Sequence, residues 1–237
     1  MVSIFNTNGL VVWTEQDIQF REFCTTYISS VIKESLLTEN NAWKFYRIES
    51  SLLTPNALIN PEYSDSQVYK TSDNLTLRPE TTAGSYQYAI HLMDSKLNLA
   101  PLVVYQSGKS FRQEQDQVTS NVRLKEFYQL EYQCIYSTST KNDYMTSIIE
   151  SLVPIVSRLT NKEVRVVVSD RLPNYSLKTI DIEVKTNAKW LEVCSISKRT
   201  DFPAKLKFGS KSGVVESDAE VLEIAFGLDR LIYCHKE

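Results

Sequence analysis

The spacing of apolar and polar positions divides the chain into helical and extended segments. From Glu15 to Leu37, Ile18, Phe23, Cys24, Tyr27, Val31 and Ile32 recur at helical spacing, with Thr14 placed to cap the N-terminus. Trp43 to Glu49 alternates Trp43, Phe45 and Arg47 against Lys44, Tyr46 and Ile48, the period of a strand. Pro55 and Pro61 break the pattern after this strand, and Ala83 to Leu97 returns to helical spacing. Pro101 opens a run of strands at Leu102–Gln106, Ser110–Gln115 and Arg123–Ser137, with the polar stretch Asp116–Asn121 as a hairpin loop. Asp143–Leu159 is helical in pattern, and Pro154 predicts a kink. Val164–Val168 reads as a strand, and Ile180–Lys185 and Trp190–Ile196 as a strand pair. Glu220–Phe226 predicts a strand that runs through a glycine into a short helix, Leu228–Tyr233. Runs of strands flanked by helices, without strict βαβ alternation, predict an α+β fold with a largely antiparallel sheet.

Composition narrows this picture. The 237 residues suffice for one large domain, and with six glycines and no Gly/Ser- or Pro-rich linker, 1–237 reads as a single domain. A net charge of −3 does not announce a nucleic-acid binder. The four cysteines, Cys24, Cys134, Cys194 and Cys234, lie far apart, and there are two histidines, His91 and His235. Neither a zinc site nor a disulfide framework is expected, so the compartment reads as reducing and cytoplasmic. No signal peptide or membrane span is visible. Two histidines also leave little for Ser-His-Asp or Cys-His catalysis.

Candidate chemistry concentrates in Phe111-Arg112-Gln113-Glu114 and Arg123-Leu124-Lys125-Glu126-Phe127-Tyr128-Gln129-Leu130-Glu131. On paired strands Arg112 and Glu114 share one face, and Phe127, Gln129 and Glu131 share another set. An arginine fork matches phosphate oxygens, a ring stacks on a purine, and a carboxylate accepts from an exocyclic amine. The same residues also suit a solvated hairpin with cross-strand ion pairs.

These two segments, with Gly108-Lys109-Ser110 before them, resemble motif 2 of the class II aminoacyl-tRNA synthetases, the glycyl enzymes most closely. Leu77-Arg78-Pro79-Glu80-Thr81 resembles their LRPET element, and Trp190-Leu191-Glu192 with Arg199-Thr200-Asp201-Phe202 resembles a further glycyl-type segment. Glu223 to Arg230 resembles motif 3, and Pro55 stands as the motif 1 proline, which in the family lies at a homodimer interface. The resemblance implies a class II synthetase-type antiparallel sheet flanked by helices, with ATP and Mg2+ used to activate a small amino acid. It implies that Arg112 holds the α-phosphate and the amino-acid carboxylate, Glu114 reads the adenine amine, and Phe127 stacks on adenine opposite Arg230 near the γ-phosphate. Arg123 joins the ATP set. Glu192 and Ser195 are the implied magnesium residues. Arg199 approaches the substrate anions, and Glu80, Glu131 and Glu223 form a carboxylate cage for the ammonium.

The chain departs from the glycyl pattern at several positions. Ala225 stands where those enzymes have serine, Ser195 where they have glycine, and Ser197 where they often have alanine. Buried hydroxyls need partners, which points toward another or larger polar substrate. The motif 2 loop, Gln115–Asn121, carries no cation, only Asp116, so phosphate contact from it is expected to be weak. With seven residues after Arg230, a catalytic core without an anticodon-binding domain is expected. A tRNA acceptor arm and a non-tRNA acceptor therefore both stay open as the second substrate. The alternative function is a non-catalytic, synthetase-like accessory subunit, for instance of a nucleic-acid polymerase. The basic stretch of Lys198, Arg199, Lys205, Lys207 and Lys211 reads as a solvated face.

Overall fold

The computed structural model describes residues 5–7, 9–113, 122–210 and 212–237. The first two strands, β1 (Phe5–Thr7) and β2 (Leu10–Val12), pair with each other. Helix α1 (Glu15–Glu39) begins at a reciprocal cap: Thr14 N donates to Asp17 Oδ2 at 2.9 Å, and Asp17 N donates to Thr14 Oγ1 at 3.4 Å. Its buried stripe, Cys24, Ile28, Ile32 and Leu36, falls at four-residue spacing. Then come β3 (Lys44–Arg47), β4 (Leu53–Pro55), β5 (Tyr69–Lys70), β6 (Leu75–Leu77) and α2 (Thr82–Ser95). The central elements are β7 (Leu102–Phe111), β8 (Glu126–Ser137), α3 (Tyr144–Thr160), β9 (Val164–Val168), β10 (Ser176–Lys185) and β11 (Trp190–Arg199). A hairpin, β12 (Leu206–Ser210) and β13 (Gly213–Ser217), precedes β14 (Ala219–Gly227) and α4 (Leu228–Lys236).

Seven strands form the main sheet in the order β3-β7-β8-β14-β11-β10-β9, antiparallel except for the β3–β7 pair. The α+β architecture expected from the pattern is the one observed. Alternation gives the sheet two unlike faces. Leu130, Tyr132, Cys134, Ile180, Ile182, Cys194, Ile196, Ile224 and Phe226 point into the main core against α1, α3 and α4. On the opposite face, α2 covers one end of the sheet through Tyr86, Ala89 and Met93 on Val104, Ile135 and Val221. The rest of that face carries polar side chains and stays open as a cleft.

One local expectation changes. Leu102–Gln106 and Ser110–Gln115 are expected as separate strands, but β7 runs unbroken through Gly108 to Phe111, while the end of the second expected strand and the hairpin loop Asp116–Asn121 lie outside the described residues. The glycine belongs there because Arg78 packs against it: a Cβ at Gly108 would collide with Arg78 Nη2. Arg78 Nε donates to Lys109 O, and Nη1 donates to Ser50 O, both at 2.8 Å. Pro154, the expected kink position, lies inside α3, which runs from Tyr144 to Thr160, is capped by Asp143 and closes at Asn161 with φ 55°. Among the described residues no helix is long and apolar enough to cross a membrane.

Candidate active site

Strand register assembles the polar face. Gln106, Glu131, Ala225, Ser195 and Asp181 are successive partners across β7, β8, β14, β11 and β10. The adjacent row sets Gln133, Glu223, Ser197 and Thr179 side by side. Five strands therefore bring side chains far apart in sequence onto one surface.

One end of the cleft is built from carboxylates. Glu131 Oε1 accepts from Thr82 Oγ1 at 2.8 Å and from Gln133 Nε2 at 3.0 Å. Glu223 Oε2 accepts from Gln133 Nε2 at 2.8 Å and from Arg199 Nη1 at 2.5 Å. Glu80 Oε2 accepts from the Tyr63 hydroxyl at 3.1 Å, and its Oε1 lies 3.6 Å from Arg199 Nη2. Arg199 is wholly buried and is shared with Asp201, so it cannot balance three carboxylates alone. Burial first, then the neighbouring Glu223 and Glu80, pushes the Glu131 carboxyl up to about 7. Burial also raises Glu80, against the opposing pull of Arg199. The cluster thus has a deficit of positive charge that a cationic ligand group would fill.

The other end carries arginines and an aromatic ring. Arg112 lies just past β7, where its backbone N donates to Lys125 O at 2.9 Å. Its Nε donates to Pro79 O at 3.1 Å and its Nη2 to the Tyr63 oxygen at 3.0 Å. The guanidinium carbon sits 5.1 Å from the Phe127 ring centroid. Arg230, on α4, pairs with Glu192 Oε1 at 3.1 Å and donates to Val122 O at 3.3 Å. Arg123 is exposed at the cleft wall, and Glu114 lies outside the described residues.

The cleft gathers Glu80, Arg112, Arg123, Phe127, Glu131, Glu192, Ser195, Glu223, Ala225 and Arg230 of the residues singled out in the sequence. Arg199 does not line it. That side chain stands behind Glu223, with Nε and Nη2 on Asp201 at 3.0 and 2.6 Å. The hydroxyls expected to seek a substrate are already satisfied in part: Ser197 bonds Thr179 at 3.0 Å, and Thr179 bonds Ser176 at 3.0 Å. The basic stretch is neutralised by pairing of Lys198 with Glu220, Lys205 with Asp218 and Lys207 with Asp94. Lys211 lies outside the described residues.

Sequence reasoning misses Tyr63, Thr82, Gln133, Tyr175 and Asp181. Asp181 has a signal, an acidic residue alternating with Ile180 and Ile182 opposite Ser195. Its Oδ1 is buried without a hydrogen-bond partner among the described residues, and burial raises its carboxyl against the pull of Ser169 and Ser195. Asp181, Glu192 and Ser195 border the same cleft and offer hard oxygen donors, which suits Mg2+. Among the described residues no group of three or more His, Cys, Asp or Glu could hold a metal ion by itself. A nucleotide-bound Mg2+ needs only one or two carboxylates beside the phosphates.

A seven-stranded, mainly antiparallel sheet that carries a carboxylate cluster at one end of a cleft and an arginine–aromatic platform at the other defines a class II synthetase core. The chain belongs to that family: residues 66–237 match the tRNA synthetase class II core domain (G, H, P, S and T). It is 30% identical over 170 residues to a glycine–tRNA ligase of Mycoplasma capricolum subsp. capricolum, covering 66% of this chain and 37% of the relative. A glycine–tRNA ligase of Mycoplasma mycoides subsp. mycoides is 29% identical over 173 residues, again covering 66% and 37%. The chain spans little more than a third of the length of these relatives. The fold is shared with the prolyl-tRNA synthetase of Giardia lamblia in complex with prolyl-adenylate, at TM-score 0.71 and 15% identity over 98% of this chain and 48% of that one. The prolyl-tRNA synthetase of Cryptosporidium parvum, complexed with halofuginone and AMPPNP, gives TM-score 0.74 and 16% identity, covering 98% and 48%.

Proposed function

We propose that this chain activates glycine or another small amino acid with ATP, forming the aminoacyl-adenylate, and passes the acyl group to tRNA or to a non-tRNA acceptor. The observation that carries this reading is the convergence of Arg112 and Phe127 with Glu80, Glu131 and Glu223 on a single cleft.

The chemistry rests on what those groups hold. The carboxylates grip the ammonium and so aim the amino-acid carboxylate along the cleft toward Arg112. Adenine stacks on Phe127, and Arg112 and Arg230 bind phosphate oxygens. A carboxylate oxygen of the amino acid attacks the α-phosphorus, the bond to the bridging oxygen breaks, and pyrophosphate leaves. Negative charge grows on the equatorial oxygens, where fixed guanidinium groups stabilise it without reorganising. Bound Mg2+, held by Glu192 and Ser195 with Asp181 beside them, would supply further charge neutralisation on the phosphates. No protein nucleophile is needed, and neither histidine lines the cleft.

The motif 1 segment around Pro55 supports a homodimer, and the four buried, unpaired cysteines support a reducing, cytoplasmic setting. Amino-acid-dependent exchange of pyrophosphate into ATP, run across a panel of amino acids, tests the activation step. Exchange with none of them would sink it in favour of a non-catalytic accessory role.

A further inference from the structure

Beside the cleft lies a second cavity of ≈ 650 Å³, walled by the segment 57–62, the first turns of α2 and the chain just past β11. Its apolar walls come from Leu58, Ile59, Ala83, Tyr86, Ile90 and Pro203. The Asp201 carboxylate at its polar end is already satisfied: besides Arg199, it accepts from Asn60 Nδ2 at 3.2 Å and from the Tyr86 hydroxyl at 3.0 Å. Two residues line both this cavity and the cleft, Glu80 and Tyr175. Glu80 is fixed from two sides by Tyr63 and Arg199.

Tyr175 is fixed as firmly. Its backbone O accepts from Thr200 N at 2.7 Å and from Thr200 Oγ1 at 3.1 Å, which ties the β9–β10 loop to the end of β11. Its ring lies over Arg199, with the guanidinium carbon 3.9 Å from the centroid. Arg199 in turn is held by Glu223 and Asp201. A ring stacked on a buried, doubly paired guanidinium does not swing freely.

We propose that Tyr175 sets amino-acid specificity by closing the ammonium-binding end of the cleft off from the second cavity. The carboxylates Glu80, Glu131 and Glu223 place a bound amino acid against this partition. Its side chain then meets the Tyr175 ring instead of an apolar space that would easily hold a leucine or methionine side chain. Of the two residues that stand between the cleft and the cavity, Glu80 holds the ammonium, so the Tyr175 ring is the part of the partition that limits the side chain. This proposal rests on the reading of the cleft as an amino-acid site.

The test compares wild type with Tyr175→Ala, and with Tyr175→Leu, which keeps an apolar group over Arg199 should the alanine variant not melt cooperatively. Both are assayed by pyrophosphate exchange, and by the melting shift caused by each of a panel of amino acids. Opening the partition is expected to raise kcat/KM for leucine and methionine relative to glycine by roughly 10–100-fold, the discrimination that apolar side-chain volume typically carries. The larger apolar amino acids should also newly raise the melting temperature. Ala83→Phe added to Tyr175→Ala refills the second cavity and should restore the exclusion. If wild type exchanges with no amino acid, the activation reading fails, while the melting shifts still report on the partition. A variant stabilised by the same set of amino acids as wild type, including no amino acid in either case, overturns the proposal.

Discussion

Glu131→Gln should make this protein more stable and less active. Glu131 is buried to 1% exposure beside Glu223 and Glu80. Its folded-state value is about 7, against an ordinary 4.5. For an acid raised in this way, the folded state binds more protons than the unfolded state between those two values. Stability therefore falls as pH rises through that window, and the full cost is present above about 7. At 1.36 kcal/mol per pH unit the difference corresponds to roughly 3 kcal/mol, shared across a carboxylate cluster that titrates together. Glutamine keeps an oxygen for Thr82 Oγ1 and the Gln133 amide, so the local hydrogen bonds survive while the charge is removed. For a chain of this size each kcal/mol moves the melting temperature by about 2–4 °C. The variant should thus melt roughly 5–10 °C above wild type at about pH 8, and close to it at about pH 4.5, where both carry a neutral group. Exchange activity should fall by about 10–100-fold, because the ammonium loses a charge-assisted partner worth roughly 1.5–3 kcal/mol. Paired melts at the two pH values decide the matter: an equal difference at both, or a less stable variant at pH 8, refutes the electrostatic account.

The same geometry sets other outcomes. Ammonium binding stabilises the ionised form of Glu131, so KM for the amino acid should rise as pH falls below about 7, approaching tenfold per unit, while KM for ATP changes less; exchange kinetics from acid to mild base read this directly. Tyr63→Phe removes the donor to Glu80 and the acceptor for Arg112. It should cost about 10–100-fold in kcat/KM for the amino acid, with a melting temperature near wild type. Gly108→Ala forces Arg78 out of its buried bonds and should destabilise the fold by about 2–3 kcal/mol in urea unfolding, with m unchanged.

The fold is legible in the sequence where pattern and period agree. The Thr14 cap, the helical span of α1 and the strands β8 and β14 survive in the structure because local propensity and burial ask for the same conformation, although of the apolar positions named on α1 Cys24 and Ile32 are buried while Ile18 and Phe23 are exposed. The misreadings come from contacts distant in sequence. The gap expected between Gln106 and Ser110 is bridged in β7, where Arg78, distant in sequence, occupies the space of the missing Gly108 side chain. The β12–β13 hairpin escapes the pattern because its exposed strands, with Val214 and Val215 in solvent, bury too little to impose a clean period.

The site divides along a similar line. Arg112, Phe127 and the three glutamates can be named because their types and order carry the chemistry. The residues that hold them cannot. Tyr63 matters only because its hydroxyl bridges Arg112 and Glu80, two residues it has no local relation to. Arg199 sits in a different environment from the one expected: the resemblance sets it against the substrate anions, but Asp201 two residues on turns the guanidinium inward. An arginine with two carboxylates in reach satisfies its fork internally before it meets a substrate. That internal pairing is what gives Tyr175 a rigid surface to stack on. Arg199 thus becomes the foundation of the pocket wall, and a Lys at position 199 should loosen selectivity among amino acids more than it slows the reaction of the smallest one. Comparing exchange with glycine and with leucine in Arg199→Lys measures the two effects separately, and a uniform loss of both would place Arg199 back among the substrate contacts.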